Sequence, residues 1–292
     1  MYSDPICPPL KIPPEALVLD VGSGHRPHPR ADVLCDKYLM DNSERGGAAV
    51  IDRPLVVGDI QSLPFRAGTF DYVITRHVLE HVENPAAFFR EIMRVGAAGY
   101  IETPSLIWEY LHPSRRHHKW VLLKLNDTIL MAPKPPELYD SVLGSVIEEM
   151  GMNSLEYGLL IKAYKDLFYV RHEWSGTVRC KIYSSIDQAP ALFRSPWNGE
   201  TARLWVARQK SLQQVKNLLH NLMDSAFGRA MRGYTLQQEQ RQLKARLRQR
   251  PIDLSQVMMC PICQSTRIEI KIDAACCQDC QWQTRIWMPQ LR

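Results

Sequence analysis

The stretch that most constrains the fold is Leu17 to Gly24, LVLDVGSG. An apolar run ends in Asp20 and is followed by two glycines in a G-x-G pattern, which is typical of a buried parallel strand that breaks into a tight loop against a ligand. Glycine suits such a loop because, without a Cβ, it lets backbone N–H groups approach a bound molecule closely. Alone, the pattern also fits an ordinary strand-to-turn connection, so the following segments have to decide between the two.

Four further segments have the apolar character of buried strands, and two of them end in an acid. Asp36 closes the second segment, and Asp59 closes the third after a glycine. In nucleotide-binding α/β units, an acid at the end of the second strand accepts hydrogen bonds from ribose hydroxyls, and ligands bind at the carboxyl edge of the sheet. The four segments are Ala31 to Asp36, Pro54 to Asp59, Phe70 to Thr75 and Gly99 to Ser105.

With these motifs, Val18 to Ser105 resembles a class I S-adenosylmethionine-dependent methyltransferase of the type 11 group. The matching pieces are VLDVGSG, the Asp36 acid, GDIQSLPF, FDYVITRHVLEHV and EIMRV. The resemblance implies an α/β fold with a Rossmann-like, doubly wound, mostly parallel sheet, and S-adenosylmethionine as cofactor.

The resemblance also implies which residues bind the cofactor. Gly22 and Gly24 would pack against its methionine part, Asp36 would bind the ribose hydroxyls, and Asp59 with the Ile60 amide would contact the adenine. The full implied set is Asp20, Gly22, Gly24, Asp36, Asp59, Ile60 and His77.

One departure from the family pattern lies directly after the glycines. The usual third glycine falls at Arg26, inside HRPHPR, where Pro27 and Pro29 forbid a long regular helix. We therefore expect the first helix to be truncated or replaced by an ordered loop, with Arg26 as a source of positive charge there.

Length and composition bound the remaining possibilities. With 292 residues, 45% of them hydrophobic, the chain can bury a full core and has room for about two domains. The net charge of +5 is mild. No stretch approaches the ~20 apolar residues of a membrane span, and the start of the chain lacks a signal-peptide pattern. A cytoplasmic location is the resulting expectation, and eight cysteines in a chain of this length do not by themselves indicate disulfides.

The composition predicts four regions. Residues 1–15 are a proline-rich extended lead-in, and 16–202 are the methyltransferase domain, with the cofactor-binding core at 16–105 and substrate-side elements at 106–202. Residues 203–250 are a basic amphipathic helical linker, and 251–292 are a zinc-ribbon-like module.

Local patterns predict several elements around the site. Asn84-Pro85 predicts the start of a helix after the fourth strand, and Asn126-Asp127 predicts the turn of a β-hairpin. Residues 137–165 are predicted helical. Leu167 to Trp174 and Thr177 to Ser184 are predicted to pair as an antiparallel edge of the sheet.

His77 and His81, just past the fourth strand, are the candidate catalytic residues. A histidine there could act as general base, which is required only if the acceptor is a hydroxyl or a protonated amine. The resemblance also places His77 toward the methionine and the substrate. The alternative for Glu80-His81 is that both side chains only hydrogen-bond the loop and the helix start.

The segment HPSRRHHKW, residues 112–120, holds three histidines, two arginines and a lysine. His117, His118 and Trp120 are the candidate substrate-binding residues, for an anionic or hydroxylated group. A metal site and a solvated basic loop are the alternatives; adjacent histidines point differently on any regular element, which weighs against the metal site.

Residues 203–250 contain 11 Lys and Arg against two Asp and Glu. A basic amphipathic helix can bind nucleic acid or an acidic partner, although such runs are more often solvated helix faces.

The sequence gives its strongest metal signal near the C-terminus. Cys260, Cys263, Cys277 and Cys280 form two C-x2-C knuckles separated by 13 residues. Four thiolates complete a tetrahedral shell that has no open position, so the segment resembles a small zinc ribbon with structural zinc. Cys276 competes with Cys277 as the third ligand, but the spacing favours Cys277. A redox pair is the alternative.

These features together predict an S-adenosylmethionine-dependent methyltransferase. The acceptor is expected to be a small molecule or a glycan or envelope precursor, methylated by in-line transfer. The alternatives are an RNA methyltransferase that docks through its basic helices and zinc ribbon, and a non-catalytic scaffold protein with a cofactor fold. The sequence does not indicate the oligomeric state.

Overall fold

The structure is a computed structural model, and it describes residues 10–42, 47–139, 142–190, 193 and 241–288. Most of the predicted 203–250 linker and the first nine residues of the predicted lead-in therefore lie outside the described residues. The chain divides into two compact units. We call 11–101, 173–178 and 237–292 the sheet unit, and 1–10, 102–172 and 179–236 the hairpin unit.

Nine strands form the main sheet, in the order β10-β11-β12-β3-β2-β1-β4-β5-β8. The central strands are buried on both faces, which explains why they appear in the sequence as unbroken apolar runs. Their bounds are β1 Val18–Val21, β2 Val33–Asp36, β3 Leu55–Val57, β4 Phe70–Arg76, β5 Gly96–Pro104, β8 Tyr169–Ser175, β10 Ile268–Ile270, β11 Ala274–Cys277 and β12 Gln283–Trp287.

Strand β1 lies at the centre of the parallel part and pairs with β2 and β4, and β2 pairs in parallel with β3. The mixed α/β sheet with a parallel centre is thus as predicted. One helix of the sheet unit, α1 (Pro85–Val95), begins as predicted, with the Asn84 side chain accepting a hydrogen bond from the Ala87 amide and Pro85 in the first turn. The apolar face of α1 is buried.

The predicted antiparallel edge is β8. The Gly176 amide donates to Ala97 and the Ser105 amide donates to Phe168, so β8 runs opposite to β5. The predicted partner of β8 is wrong, however. Strand β9 (Cys180–Ile182) pairs in parallel with β7 in a separate three-stranded sheet instead of folding back on β8.

The hairpin unit is built on β6 (Trp120–Leu125) and β7 (Thr128–Pro133), which pair in register across the Asn126-Asp127 turn. Both turn residues have positive φ, which confirms the predicted hairpin. An apolar cluster of Leu106, Val121, Leu130 and Phe193 fills the space beside this sheet. The helices of this unit are α2 Leu106–Leu111, α3 Val142–Asn153, α4 Leu155–Ala163 and α5 Lys165–Phe168, with 3-10 turns at Pro136–Tyr139 and Ile186–Gln188.

Near the C-terminus, residues 241–249 are helical, and α6 spans Leu254–Val257. Leu243 and Leu247 on the 241–249 helix are buried. The remaining strands, β10 to β12, form an antiparallel meander that continues the main sheet beyond β3. Among the described residues, no helix is both long enough and apolar enough to cross a membrane.

Candidate cofactor site and its neighbours

The glycine turn after β1 is tightly packed. Gly22 has φ +72°, and a Cβ on it would lie 2.2 Å from Cγ2 of Val78. Gly24, with φ +51°, also has a left-handed backbone. Both the backbone angle and the close neighbour therefore require glycine at position 22, as expected for a strand that turns sharply at the carboxyl edge.

Asp36 at the end of β2 is joined directly to this turn. Its Oδ2 accepts a hydrogen bond from the Gly24 amide at 2.9 Å, and its Oδ1 accepts one from the Tyr38 amide at 2.9 Å. These two bonds fix the orientation of the Asp36 carboxylate. The structure thus brings together the predicted glycines and the predicted ribose-binding acid.

Asp59 follows β3 and forms an ion pair with Lys37, with Nζ 2.8 Å from Oδ2. Its Oδ1 accepts a hydrogen bond from the Gln61 amide at 2.9 Å. Burial works against ionisation of this carboxyl, but the Lys37 ammonium and the Gln61 donors outweigh it and lower the pKa of Asp59. Ile60 is buried beside it. Lys37 as the partner of Asp59 was not foreseen from the sequence.

Asp20 supports the loop after the glycine turn. Its Oδ2 accepts a hydrogen bond from the His28 amide at 2.7 Å. Burial raises the pKa of Asp20, although Arg76 and the His28 bond oppose that shift. We find no helix between β1 and β2, so an ordered loop replaces the first helix, as the two prolines predict.

Arginines from distant parts of the chain hold this loop. Arg53 donates to the carbonyl oxygens of His28 and Ala31 at 2.9 and 2.6 Å. Arg246, from the 241–249 helix, pairs with Asp32 at 2.7 Å. One cation of the basic C-terminal stretch therefore forms an ion pair within the sheet unit. No local sequence signal reveals this pair, because its two residues are more than 200 positions apart.

The burial of His28 predicts that the free energy of unfolding depends on pH. Burial, followed by the charges of Arg76 and Arg53, lowers its pKa to about 3. In the unfolded chain the His28 imidazole takes up a proton near pH 6.5, but in the folded protein it does so only near pH 3. The stability that depends on neutral His28 is therefore fully present above pH 6.5 and is lost as the pH falls toward 3. We expect His28 alone to reduce the free energy of unfolding by about 2 kcal/mol between pH 7 and pH 5.

The check is urea unfolding of the wild type and His28→Asn at both pH values. Asparagine keeps an acceptor for the Arg30 amide, which bonds to Nδ1 of His28. The variant should lose about 2 kcal/mol less than the wild type over this interval. Equal losses would mean that His28 is not the group responsible.

The two candidate catalytic histidines flank one buried carboxylate. Glu80 is fully buried, and its Oε1 lies 3.5 Å from Nδ1 of His77 and 3.8 Å from Nε2 of His81. His77 has φ +55° directly after β4, a conformation that is costly for a residue with a side chain. Strained backbone and a buried acid between two imidazoles are typical of a functional position.

The candidate substrate residues belong to the hairpin unit, where His118 is part of a buried charged cluster. His118 Nδ1 lies 2.6 Å from Oε1 of Glu109, and Lys134 Nζ lies 2.6 Å from Oε2 of the same carboxylate. Glu109 and Lys134 have fully buried side chains. His117 packs edge-on against His118, and Trp120 begins β6. No pattern in the sequence singles out Glu109 or Lys134.

His112 is buried as well. Its ring stacks on Trp108 with centroids 3.7 Å apart, Nδ1 bonds to the Trp108 carbonyl, and Nε2 lies 3.2 Å from the Tyr157 hydroxyl. Burial lowers its pKa to about 4. The alternative of a solvated basic loop is therefore wrong for His112 and His118.

The predicted cysteine ligands lie together. Each of Cys260, Cys263, Cys277 and Cys280 offers a sulfur atom, and all four sulfurs lie within 4.8 Å of one another. The sulfurs of Cys260 and Cys280 are 3.5 Å apart, as are those of Cys263 and Cys277. Tetrahedral zinc with bonds of ~2.3 Å needs sulfurs about 3.8 Å apart, so the donor set fits zinc. Cys276 lies outside this group, as predicted.

Part of this chain is similar in sequence to known methyltransferases. Residues 19–100 match the family model described as a methyltransferase domain. Norajmaline N-methyltransferase of Rauvolfia serpentina is 38% identical over 84 residues, which are 26% of this chain and 28% of the relative. Ajmaline N-methyltransferase of the same plant is 42% identical over 43 residues, 15% of each chain. The chain thus spans less than a third of the length of these relatives.

Two solved structures are also similar to this chain, at lower identity. A putative methyltransferase from Bacillus halodurans has 20% identity and a TM-score of 0.29, covering 39% of this chain and 66% of that one. A complex between the Haloferax volcanii Trm112 methyltransferase activator and the putative methyltransferase has 14% identity and a TM-score of 0.33, covering 56% and 83%. The part of the chain that matches the methyltransferase-domain model, residues 19–100, contains the glycine turn, Asp36 and Asp59.

Proposed function

We propose that this chain is an S-adenosylmethionine-dependent methyltransferase acting on a small-molecule or glycan/envelope-precursor acceptor. The observation that carries the proposal is the bond from the Gly24 amide to Asp36, which joins the glycine turn to the acid that ends β2. A glycine turn with an oriented carboxylate beside it, at the carboxyl edge of a parallel sheet, suits a nucleoside.

The proposal assigns residues at the carboxyl edge of the sheet to the separate parts of the cofactor. Asp36 binds the ribose hydroxyls, Asp59 and the Ile60 amide bind the adenine, and Gly22 and Gly24 lie against the methionine part. Bound S-adenosylmethionine would supply an electrophilic methyl group on a sulfonium, with a neutral thioether as leaving group. The protein then has to orient the acceptor in line with that methyl and to exclude water.

Proton removal is assigned to the histidines beside Glu80. If the acceptor is a hydroxyl or a protonated amine, His77 or His81 takes its proton, and the buried Glu80 carboxylate stabilises the resulting imidazolium. In the hairpin unit, Glu109 fixes the ring of His118, which we assign with His117 and Trp120 to acceptor binding.

One ion pair of the basic stretch weighs against its use for docking RNA. An RNA methyltransferase needs exposed cations along its basic stretches, yet Arg246 is half-buried and pairs with Asp32. Residues 241–250 therefore offer RNA fewer unpaired positive charges than the sequence alone suggests.

The test is transfer of labelled methyl from S-adenosylmethionine by the full chain into a cell extract, which is then separated into RNA, protein, glycan-lipid and small-molecule fractions. We expect label in a ribonuclease-resistant small-molecule or glycan fraction, at a rate that changes little between 50 and 200 mM salt. Ribonuclease-sensitive label, lost steeply with salt, would make RNA the acceptor. Cofactor binding without any label would favour the scaffold alternative.

A further inference from the structure

The four-cysteine segment is attached to the strand that leads into the adenine side of the site. Strand β12 pairs antiparallel with β3, with Ile286 opposite Val56. In addition, the Thr284 hydroxyl donates to the Val57 carbonyl at 2.6 Å. Strand β3 is therefore an internal strand, paired on one side by β2 and on the other by the C-terminal segment.

A second attachment lies a few residues further along. Arg66 donates to the carbonyl oxygens of Met258, Ser255 and Thr266 at 3.1, 2.9 and 3.2 Å. The Met259 amide donates to the Pro64 carbonyl, and Phe65 and Met258 form a β-bridge. Arg66 is about 190 to 200 residues away in sequence from the groups it binds.

The stretch between the two attachments contains Asp59 and Ile60. It begins at Val57, which is bonded to Thr284, and it ends at Arg66, which is bonded to α6 and its neighbours. The C-terminal segment thus holds both ends of the loop that carries the proposed adenine contacts.

The cysteines lie next to both attachments. Cys260 is two residues after Met258, and Cys280 is three residues before the start of β12. A metal bound by the four thiolates would link these two parts of the segment. Without it, three short strands have too little core to hold their pairing.

We propose that metal binding at Cys260, Cys263, Cys277 and Cys280 positions the Asp59–Ile60 loop for the cofactor, so that metal and cofactor each strengthen the binding of the other. The reciprocity follows from linkage, because two ligands that favour the same arrangement of one loop must favour each other equally. This inference rests on the proposed function, since it assigns the loop to cofactor binding. Arg66 and Thr284 are then positioning residues.

The test measures the zinc affinity of the full chain by equilibrium competition with a colorimetric chelator, with and without saturating S-adenosylhomocysteine. We expect the nucleoside to raise the zinc affinity at least threefold. In Arg66→Met, which keeps all four cysteines, the zinc content should stay at one per chain, the affinity for S-adenosylhomocysteine should fall about tenfold, and the effect on zinc affinity should vanish. Lys271→Ala, an exposed change in the same segment, should behave as the wild type.

The outcomes separate this inference from the proposed function. If the wild type binds S-adenosylhomocysteine but has the same zinc affinity with and without it, the coupling is wrong and the function stands. Wild-type affinity in Arg66→Met would equally overturn the coupling. If the wild type binds no nucleoside, the proposed function itself fails. Near-ultraviolet circular dichroism checks that Arg66→Met is folded.

Discussion

Replacing Gly22 with alanine is expected to weaken binding of S-adenosylmethionine at least 100-fold. The new Cβ would lie 2.2 Å from Cγ2 of Val78, well inside contact distance, and φ of +72° is unfavourable for alanine. The turn must move away from Val78 to relieve the overlap. A shift of about 1 Å in a binding turn is enough for a loss of this size. Isothermal titration calorimetry measures it.

Two variants separate the overlap from the backbone strain. Gly68 has φ +63° and no atom within 4 Å of its Cβ position, so Gly68→Ala should lower stability by about 1 kcal/mol and leave affinity unchanged. Adding Val78→Ala to Gly22→Ala removes the colliding methyl and should restore part of the affinity. Cofactor affinity in Gly22→Ala equal to that in Gly68→Ala would show that the close packing is irrelevant.

The second large effect is expected in the hairpin unit. Lys134→Met should destabilise the protein by about 3–5 kcal/mol, because it leaves the Glu109 carboxylate buried without its ammonium partner. Both side chains are fully buried and 2.6 Å apart. Urea unfolding followed by circular dichroism gives the free energy.

A double variant tests whether the loss comes from the Glu109 charge that remains when the Lys134 ammonium is removed. Glu109→Gln with Lys134→Met removes both charges and should be less destabilised than Lys134→Met alone. Lys124→Met is the control, since the half-buried Lys124 lies 3.8 Å from an exposed carboxylate, that of Asp127, and it should change stability by less than about 1 kcal/mol. A double variant at least as unstable as Lys134→Met would contradict this explanation.

The sequence predicts the parallel centre of the sheet well because burial on both faces leaves a direct mark. A strand such as β1 is apolar except for Asp20, and its carboxyl end turns at a glycine. The sequence of β9 does not indicate in this way which strand it pairs with. Cys180–Ile182 is a short strand that could pair with any edge, and packing against β7, rather than the nearby turn at Gly176, decides its place.

The residues around the candidate site also divide into those that the sequence predicts and those that it does not. Asp36 and Asp59 could be predicted because each follows a strand at a fixed position. Glu109 and Lys134 could not, since one buried acid in a helix and one lysine after a strand carry no pattern until the fold brings them together. The bonds of Arg66 to the cysteine segment cross some 200 residues and are equally invisible in the sequence.

The most direct test of the central claim is calorimetric titration of the full chain with S-adenosylmethionine, alongside two matched variants. We expect one site per chain in the wild type, affinity at least tenfold weaker in Asp36→Asn, and wild-type affinity in Asp71→Asn. Asp71 also accepts a backbone hydrogen bond, from the Leu17 amide, but at the amino edge of the sheet. The absence of binding by the wild type, or equal affinity in Asp36→Asn, would contradict the assignment of a cofactor site at the carboxyl edge.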